Sequence, residues 1–194
     1  RGGLGVDTIY GNAADNSFWG YDGGDTIFGA NGADLAYGGF GDDVIEGGEG
    51  NDVLFGQADN DTLRGDAGDD DLRGGGNNDT IEGGAGNDLL AGGAGNDQFM
   101  GGAGDDTMVV GDGSDTVSGG AGDDVFVLQD AAGAVRIVDF AANGAADLID
   151  LSQIAGYDTP EAVAAALVAG EGETTLTLAV EEGSLVVTIL SDRP

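Results

Sequence analysis

From Gly2 to Val127 an apolar residue returns every nine positions: Ile9, Phe18, Ile27, Ala36, Ile45, Leu54, Leu63, Leu72, Ile81, Leu90, Phe99, Met108, Val117 and Phe126. The residues between are mostly glycine, aspartate and asparagine, so each nine-residue unit divides into a glycine-rich turn of six residues and a strand of three. The middle side chain of that strand points one way and its neighbours point the other. A three-residue strand is too short to be stable alone. Stacking removes the difficulty: if two units make one coil turn, strands 18 residues apart pair in parallel and the apolar residues meet inside. Fourteen units then give about seven coil turns, a rod roughly 35 Å long at the usual strand spacing. Its core is thin, so apolar burial alone is a poor account of its stability.

From Leu128 the period is gone, which divides the chain into a repeat region (1–127) and a C-terminal segment (128–194). In the second, VRIVDF (135–140) and DLIDLS (147–152) read as strands. DTPEAVAAALVAG reads as a short helix, with Asp158 or Thr159 as cap, Pro160 in the first turn and Gly170 as stop. TTLTLAV and SLVVTIL, joined by EEGS, read as a hairpin. A solenoid needs its open end covered, and this segment is placed to cover the Phe126 end. The expected fold is therefore all-β: a parallel β-roll with a strand and hairpin cap and one short helix.

Composition changes the picture. The chain holds 41 glycines, each of which raises the entropy lost on folding, so something beyond ordinary burial has to hold it together. It carries 37 Asp and Glu against five basic residues, all Arg, for a formal net charge of -32. Nucleic acid and anionic membrane surfaces need clustered basic residues and are argued against; cations are favoured. With no His, Cys or Lys, triads built on histidine, thiolate sites, disulfides, Walker-type phosphate loops and Schiff-base chemistry are excluded within these residues. No apolar run approaches a membrane span. The first residue, Arg1, opens inside a repeat, which leads to the expectation of a piece of a larger protein.

Two places before each apolar residue, the sixth position of the unit reads Asp7, Asn16, Asp25, Asp34, Asp43, Asp52, Asp61, Asp70, Asp79, Asp88, Asp97, Asp106, Asp115 and Asp124. In a two-unit coil these fall on two edges, Asp7, Asp25, Asp43, Asp61, Asp79, Asp97 and Asp115 on one and the rest on the other. Each edge without a metal is a ladder of like charges. Adjacent pairs about 5 Å apart cost on the order of 3 kcal/mol each at an effective dielectric near 20. A hard divalent cation reverses the sign. Calcium takes six to eight oxygens, and two stacked turns offer two carboxylates plus main-chain carbonyls, assigned to the fourth-position glycines Gly23, Gly32, Gly41, Gly50, Gly68, Gly86, Gly95, Gly104, Gly113 and Gly122. Six gaps on each edge allow about twelve Ca²⁺, whose roughly 24 positive charges against the formal -32 leave about -8. Asn16 lacks the charge, and Asp59 and Asn77 replace the fourth-position glycine, so sites on those turns should be weaker or empty. One isolated copy of such a string would read equally as a turn or a disordered stretch; fourteen phased copies do not.

On this G-G-x-G-x-D-x-U-x unit, over about two thirds of the chain, the sequence resembles the RTX family of secreted bacterial proteins. The resemblance implies a right-handed parallel β-roll with Ca²⁺ between successive turns. It further implies a module that follows a catalytic or adhesive domain, leaves the cell unfolded through type I secretion machinery and folds outside, where calcium is millimolar. IVDF followed by DLIDLS is similar to the region after the repeats in serralysin-type proteases and alginate epimerases. There Asp139, Asp147 or Asp150 is a candidate further calcium ligand, with hydrogen bonding inside the cap as the plainer role. The chain ends at LSDRP without an apolar terminal tail, which puts its own transport signal in question. The expected function is that of a non-catalytic calcium-binding module supporting secretion, folding and stability of a parent protein such as a protease, lipase or epimerase. A structural or adhesive role in a surface-layer protein or adhesin is the alternative. Its carboxylates form a repeating lattice rather than a unique cleft, which speaks against catalysis.

The ninth position points outward. One face reads Trp19, Tyr37, Phe55, Arg73, Ala91, Val109, Val127, and its aromatic row needs cover or a use: packing against an upstream domain, or a sugar-binding platform. The other face reads Tyr10, Phe28, Glu46, Arg64, Glu82, Met100, Ser118, where Glu46, Arg64 and Glu82 form a salt-bridge ladder. Ice binding would need a regular row of Thr and Asn; the third positions show none.

Overall fold

The computed structural model describes residues 1–129, 133–140, 147–153, 167–169, 173–180 and 183–190. Strands succeed one another at the nine-residue interval: β1 (Thr8–Tyr10), β2 (Ser17–Asp22), β3 (Thr26–Asn31), β4 (Leu35–Phe40), β5 (Val44–Glu49), β6 (Val53–Ala58), β7 (Thr62–Ala67), β8 (Asp71–Gly76), β9 (Thr80–Ala85), β10 (Leu89–Ala94), β11 (Gln98–Ala103), β12 (Thr107–Val110), β13 (Gly113–Ala121) and β14 (Val125–Gln129). Odd-numbered strands form one parallel sheet and even-numbered strands the other. Register partners are 18 residues apart, as in Leu54↔Leu72 and Ile45↔Leu63. This is the two-unit coil of a parallel β-roll, about seven turns long.

The strands are longer than the sequence suggests. Most hold six residues, not three, because pairing continues through the glycines of the next unit: Leu89, Leu90 and Ala91 pair with Asp71, Leu72 and Arg73, the first-position glycine is skipped, and Gly93 and Ala94 pair again with Gly75 and Gly76. Inward-facing residues alternate along each unit. The aspartate, the apolar residue and the next glycine are buried in turn, as in Asp43, Ile45 and Gly47. The eighth-position side chains of both sheets, from Phe18 to Phe126, form one cluster of buried residues.

Beyond Val127 both sheets continue. β15 (Gly133–Ile137) adds to β13 with a spacing of 20, Val117↔Ile137, and β16 (Leu148–Gln153) adds to β14 with a spacing of 23, Phe126↔Ile149. Here the inward glycine gives way to Val110 and Leu128, and Val135 stands where an aspartate would be. With Ile137 and Leu151 these residues are buried and widen the core, and the Phe140 ring lies 6.0 Å from that of Phe126. On the odd edge an apolar residue thus takes the place of the aspartate at this end. The expected hairpin is present: β18 (Glu173–Val180) and β19 (Gly183–Leu190) are antiparallel, and β19 joins the odd sheet beside β15. Of the expected helix, residues 158–166 and 170 lie outside the described residues, and Leu167–Ala169 form β17, paired with β18. None of the described residues is helical.

Candidate metal centre

Every repeat aspartate from Asp25 onward is at most 3% exposed, although it sits at the turn between two strands. The two oxygens of each carboxylate have different surroundings. Oδ1 accepts the backbone N–H of the aspartate one coil below: Asp43 from Asp25 at 2.7 Å, Asp61 from Asp43 at 2.9 Å, Asp70 from Asp52 at 2.7 Å, Asp106 from Asp88 at 2.9 Å. The same aspartates use their carbonyls to accept N–H groups from the coil above, as Leu89 to Asp70 at 2.8 Å. Oδ2 has no partner in any of twelve residues, Asp25, Asp34, Asp43, Asp52, Asp61, Asp70, Asp79, Asp88, Asp97, Asp106, Asp115 and Asp124. A buried oxygen without a donor costs about 1–3 kcal/mol, more if charged, and here the defect repeats at every rung.

All of these orphaned oxygens but that of Asp115, whose unit opens with Val110, face the first-position glycine of their own unit. A Cβ built on Gly65 would collide with Oδ2 of Asp70 and with the carbonyl oxygen of Gly83 in the next coil; Gly29 meets Asp34 and the Gly47 carbonyl, Gly101 meets Asp106 and the Gly119 carbonyl. A carboxylate oxygen and a main-chain oxygen thus border one space kept clear by glycine. The fourth-position glycines named above all have φ between 105° and 144°, a region that disfavours side chains. They stack so that the carbonyl oxygen of one lies where a Cβ on the next would stand, as Gly50 against Gly68 and Gly68 against Gly86. Among the described residues no three carboxylates converge on one point, so any ion held here takes one or two carboxylates and completes its shell with main-chain oxygens, a hard, all-oxygen donor set suited to Ca²⁺.

Burial pushes these carboxyls far up: Asp43 and Asp52 to about 6, Asp70, Asp79, Asp106 and Asp115 to about 7, Asp61 to about 8. In each the largest cause is loss of solvent; the backbone hydrogen bond to Oδ1 opposes it, and repulsion from neighbours adds less. Asp34, Asp88, Asp97 and Asp124 shift the same way for the same first cause. The expected like-charge ladder is real, but desolvation is the larger penalty.

The model of the RTX calcium-binding nonapeptide repeat, built on four copies, matches residues 1–36, 37–72, 64–99, 73–108 and 100–129. The chain belongs to that family. No curated protein matches it. Among solved structures, the crystal structure of the extracellular lipase LipA from Serratia marcescens is similar over 99% of this chain at 18% identity, with a TM-score of 0.24. The chain spans 37% of that lipase, and so loose a likeness supports nothing further.

Within the RTX roll a second ladder was not anticipated. Fifth-position side chains accept N–H groups from the coil above, opposite in direction to the aspartate ladder: Asn51 Oδ1 from Asp69 at 3.1 Å, Asn78 from Asn96 at 2.7 Å, Asp105 from Asp123 at 2.9 Å. The recurrent Asn and Asp at that position was the available signal. The irregular units keep the backbone path: Asp59 and Asn77 both adopt φ 77° in place of glycine, and Asp59 Oδ2 accepts from Gly41 N–H at 2.9 Å. Asn16 Oδ1 accepts from Asn12 N–H at 2.9 Å within its own turn, while its own N–H reaches Asp34 at 2.7 Å. Asp7, on the terminal coil, is only partly buried.

The three C-terminal aspartates separate. Asp147 Oδ1 accepts Asp124 N–H at 3.1 Å, and Leu148 N–H bonds the Asp124 carbonyl at 2.7 Å, so Asp147 occupies the next rung of its edge, five residues late. Asp139 holds the end of the odd sheet, accepting from Ser118 Oγ at 2.6 Å, Gly119 N–H at 3.0 Å and Gly120 N–H at 2.9 Å. Among the described residues, Asp150 bonds locally to Ser152 N–H at 2.8 Å. On the outer faces, Trp19, Tyr37 and Phe55 stack on one another at 6.0 and 4.9 Å, with Arg1 over Trp19 and Arg73 over Phe55 at the two ends. Their ring faces are therefore largely taken up. Arg64 bridges Glu46 at 3.1 Å and Glu82 at 3.5 Å on the opposite face, as the sequence suggested.

Proposed function

We propose that this RTX module couples calcium to its own folding outside the cell and thereby supports secretion and stability of the protein that carries it. The supporting observation is the row of twelve buried Oδ2 atoms without partners, eleven of them beside a glycine-kept space, which at Gly20, Gly29, Gly38, Gly65, Gly83 and Gly101 a main-chain oxygen also borders. The ligands would be Asp7, Asp25, Asp34, Asp43, Asp52, Asp61, Asp70, Asp79, Asp88, Asp97, Asp106, Asp115 and Asp124, with first- or fourth-position carbonyls, for about twelve ions. Bound calcium supplies the charge that makes ionised, desolvated carboxylates tolerable. The chain itself orients them through the Oδ1 bonds and excludes water through the apolar cluster. Metal affinity then becomes folding free energy, so a chain kept in a calcium-poor cytosol stays unfolded for export.

Circular dichroism from EDTA into millimolar Ca²⁺, repeated with Mg²⁺, tests this. Mg²⁺ demands a smaller octahedral shell, so a cooperative gain of β signal with Ca²⁺ alone is expected. A fold complete in EDTA at pH 8 would overturn the coupling.

A further inference from the structure

Away from the calcium edges, the even sheet carries a notch near the N-terminal end, about 260 Å³, lined by Tyr21, Asp22, Gly39, Phe40, Gln57 and Ala58. Its construction follows from register. Tyr21, Gly39 and Gln57 are successive partners in β2, β4 and β6, as are Asp22, Phe40 and Ala58. A Cβ on Gly39 would collide with the Tyr21 carbonyl, so the middle position carries no side chain. Tyr21 and Gln57 on either side are then separated by two strand spacings, roughly 10 Å.

Tyr21 and Gln57 hold φ 82° and 87° at the second position, where Gly39, Gly75 and Gly93 stand in neighbouring even strands. A bulky residue in that region is an outlier and costs of order 1 kcal/mol or more relative to glycine. Ala30 and Asp66 hold similar angles in the odd strands; in the even sheet the two strained side chains flank one cavity. Phe40 is 67% and Tyr21 46% exposed, and both line the notch, so their apolar surface is open to a ligand there.

We propose that this notch binds an organic cation, an ammonium or guanidinium group. Two aromatic rings, the Asp22 carboxylate and the Gln57 amide oxygen supply π faces, a counter-charge and an acceptor, and no basic residue lines it. The chain's charge of -32 attracts cations, and about -8 remains after about twelve Ca²⁺. The same sheet already places Arg1 on Trp19 and Arg73 on Phe55 at 4.8 and 5.5 Å, showing the pairing at work nearby.

The test is an NMR titration of the calcium-saturated chain with tetramethylammonium chloride and with Nα-acetylarginine methylamide, against sodium chloride and methyl glucoside. Saturable shifts centred on the Gly39 and Phe40 amides with both cations are expected, weakened about tenfold by Asp22→Asn. Tyr21→Gly should abolish them while raising the melting temperature, because glycine accepts the left-handed backbone without strain. Shifts no different from those with sodium, or saturation by methyl glucoside but not by cations, would overturn the proposal. So would unaltered binding in folded Tyr21→Gly.

Discussion

Asp70→Asn separates the two roles of the ladder, because it should change stability in opposite directions with and without calcium. Without metal, burial lifts the Asp70 carboxyl to about 7, from 3.8 when exposed. The folded chain holds that proton more tightly than the unfolded chain, so ionising the group at pH 8 costs the fold up to roughly 4 kcal/mol. Asparagine removes the cost. Its carbonyl oxygen can still accept the Asp52 N–H that Oδ1 accepts at 2.7 Å, and its amide can turn toward the Gly83 carbonyl, which borders the same space. In EDTA at pH 8 the variant should fold at a lower trimethylamine N-oxide concentration than the parent, by up to about 4 kcal/mol, with no difference at pH 3, where both side chains are neutral. In saturating calcium the sign reverses: an anionic ligand is lost from the spaces above and below, one or two fewer ions bind, and the urea midpoint falls. Circular dichroism with ion counting by mass spectrometry reads both limbs. The same sign of change in EDTA and in calcium would refute the reasoning.

The metal-free parent should itself be an acid-stabilised fold. Its raised carboxyls contribute stability below about pH 4 that is lost as pH rises through 6 to 8; greatest order in EDTA at neutral pH would contradict this, and in calcium the profile should invert as protons compete with the ion. Gly65→Ala places a Cβ against Asp70 Oδ2 and the Gly83 carbonyl, so calcium-induced folding should need several-fold more calcium, whereas Gly76→Ala, whose Cβ would find only a contact at 3.9 Å, should not. Arg64→Ala removes two partly exposed ion pairs and should cost no more than about 1 kcal/mol in urea unfolding at saturating calcium.

Much of the roll was legible because it is periodic. The spacing of nine, the phase of Asp61 and Leu63, and the pairing of residues 18 apart all follow from local chemistry repeated in register, as does the Glu46–Arg64–Glu82 row. The C-terminal strands were also visible from composition, but not their partners: Ile137 pairs with Val117 at a spacing of 20 and Ile149 with Phe126 at 23, and insertions of unequal length leave no phase to count from. Asp147 joins the ladder for the same unreadable reason.

What the sequence by itself determined is which residues face inward and which turns stack, since a nine-residue period with one apolar and one acidic phase admits few other parallel coils. What only the tertiary structure decided is the environment of each carboxylate. Oδ1 is satisfied by the coil below, Oδ2 is buried against glycine, and the larger penalty is lost water rather than repulsion between rungs. The strands likewise run through the glycine pair, and Tyr21 and Gln57 frame a notch at strained backbone angles. These features arise from contacts between coils, and desolvation depends on what all the neighbouring turns exclude, a quantity no single repeat contains.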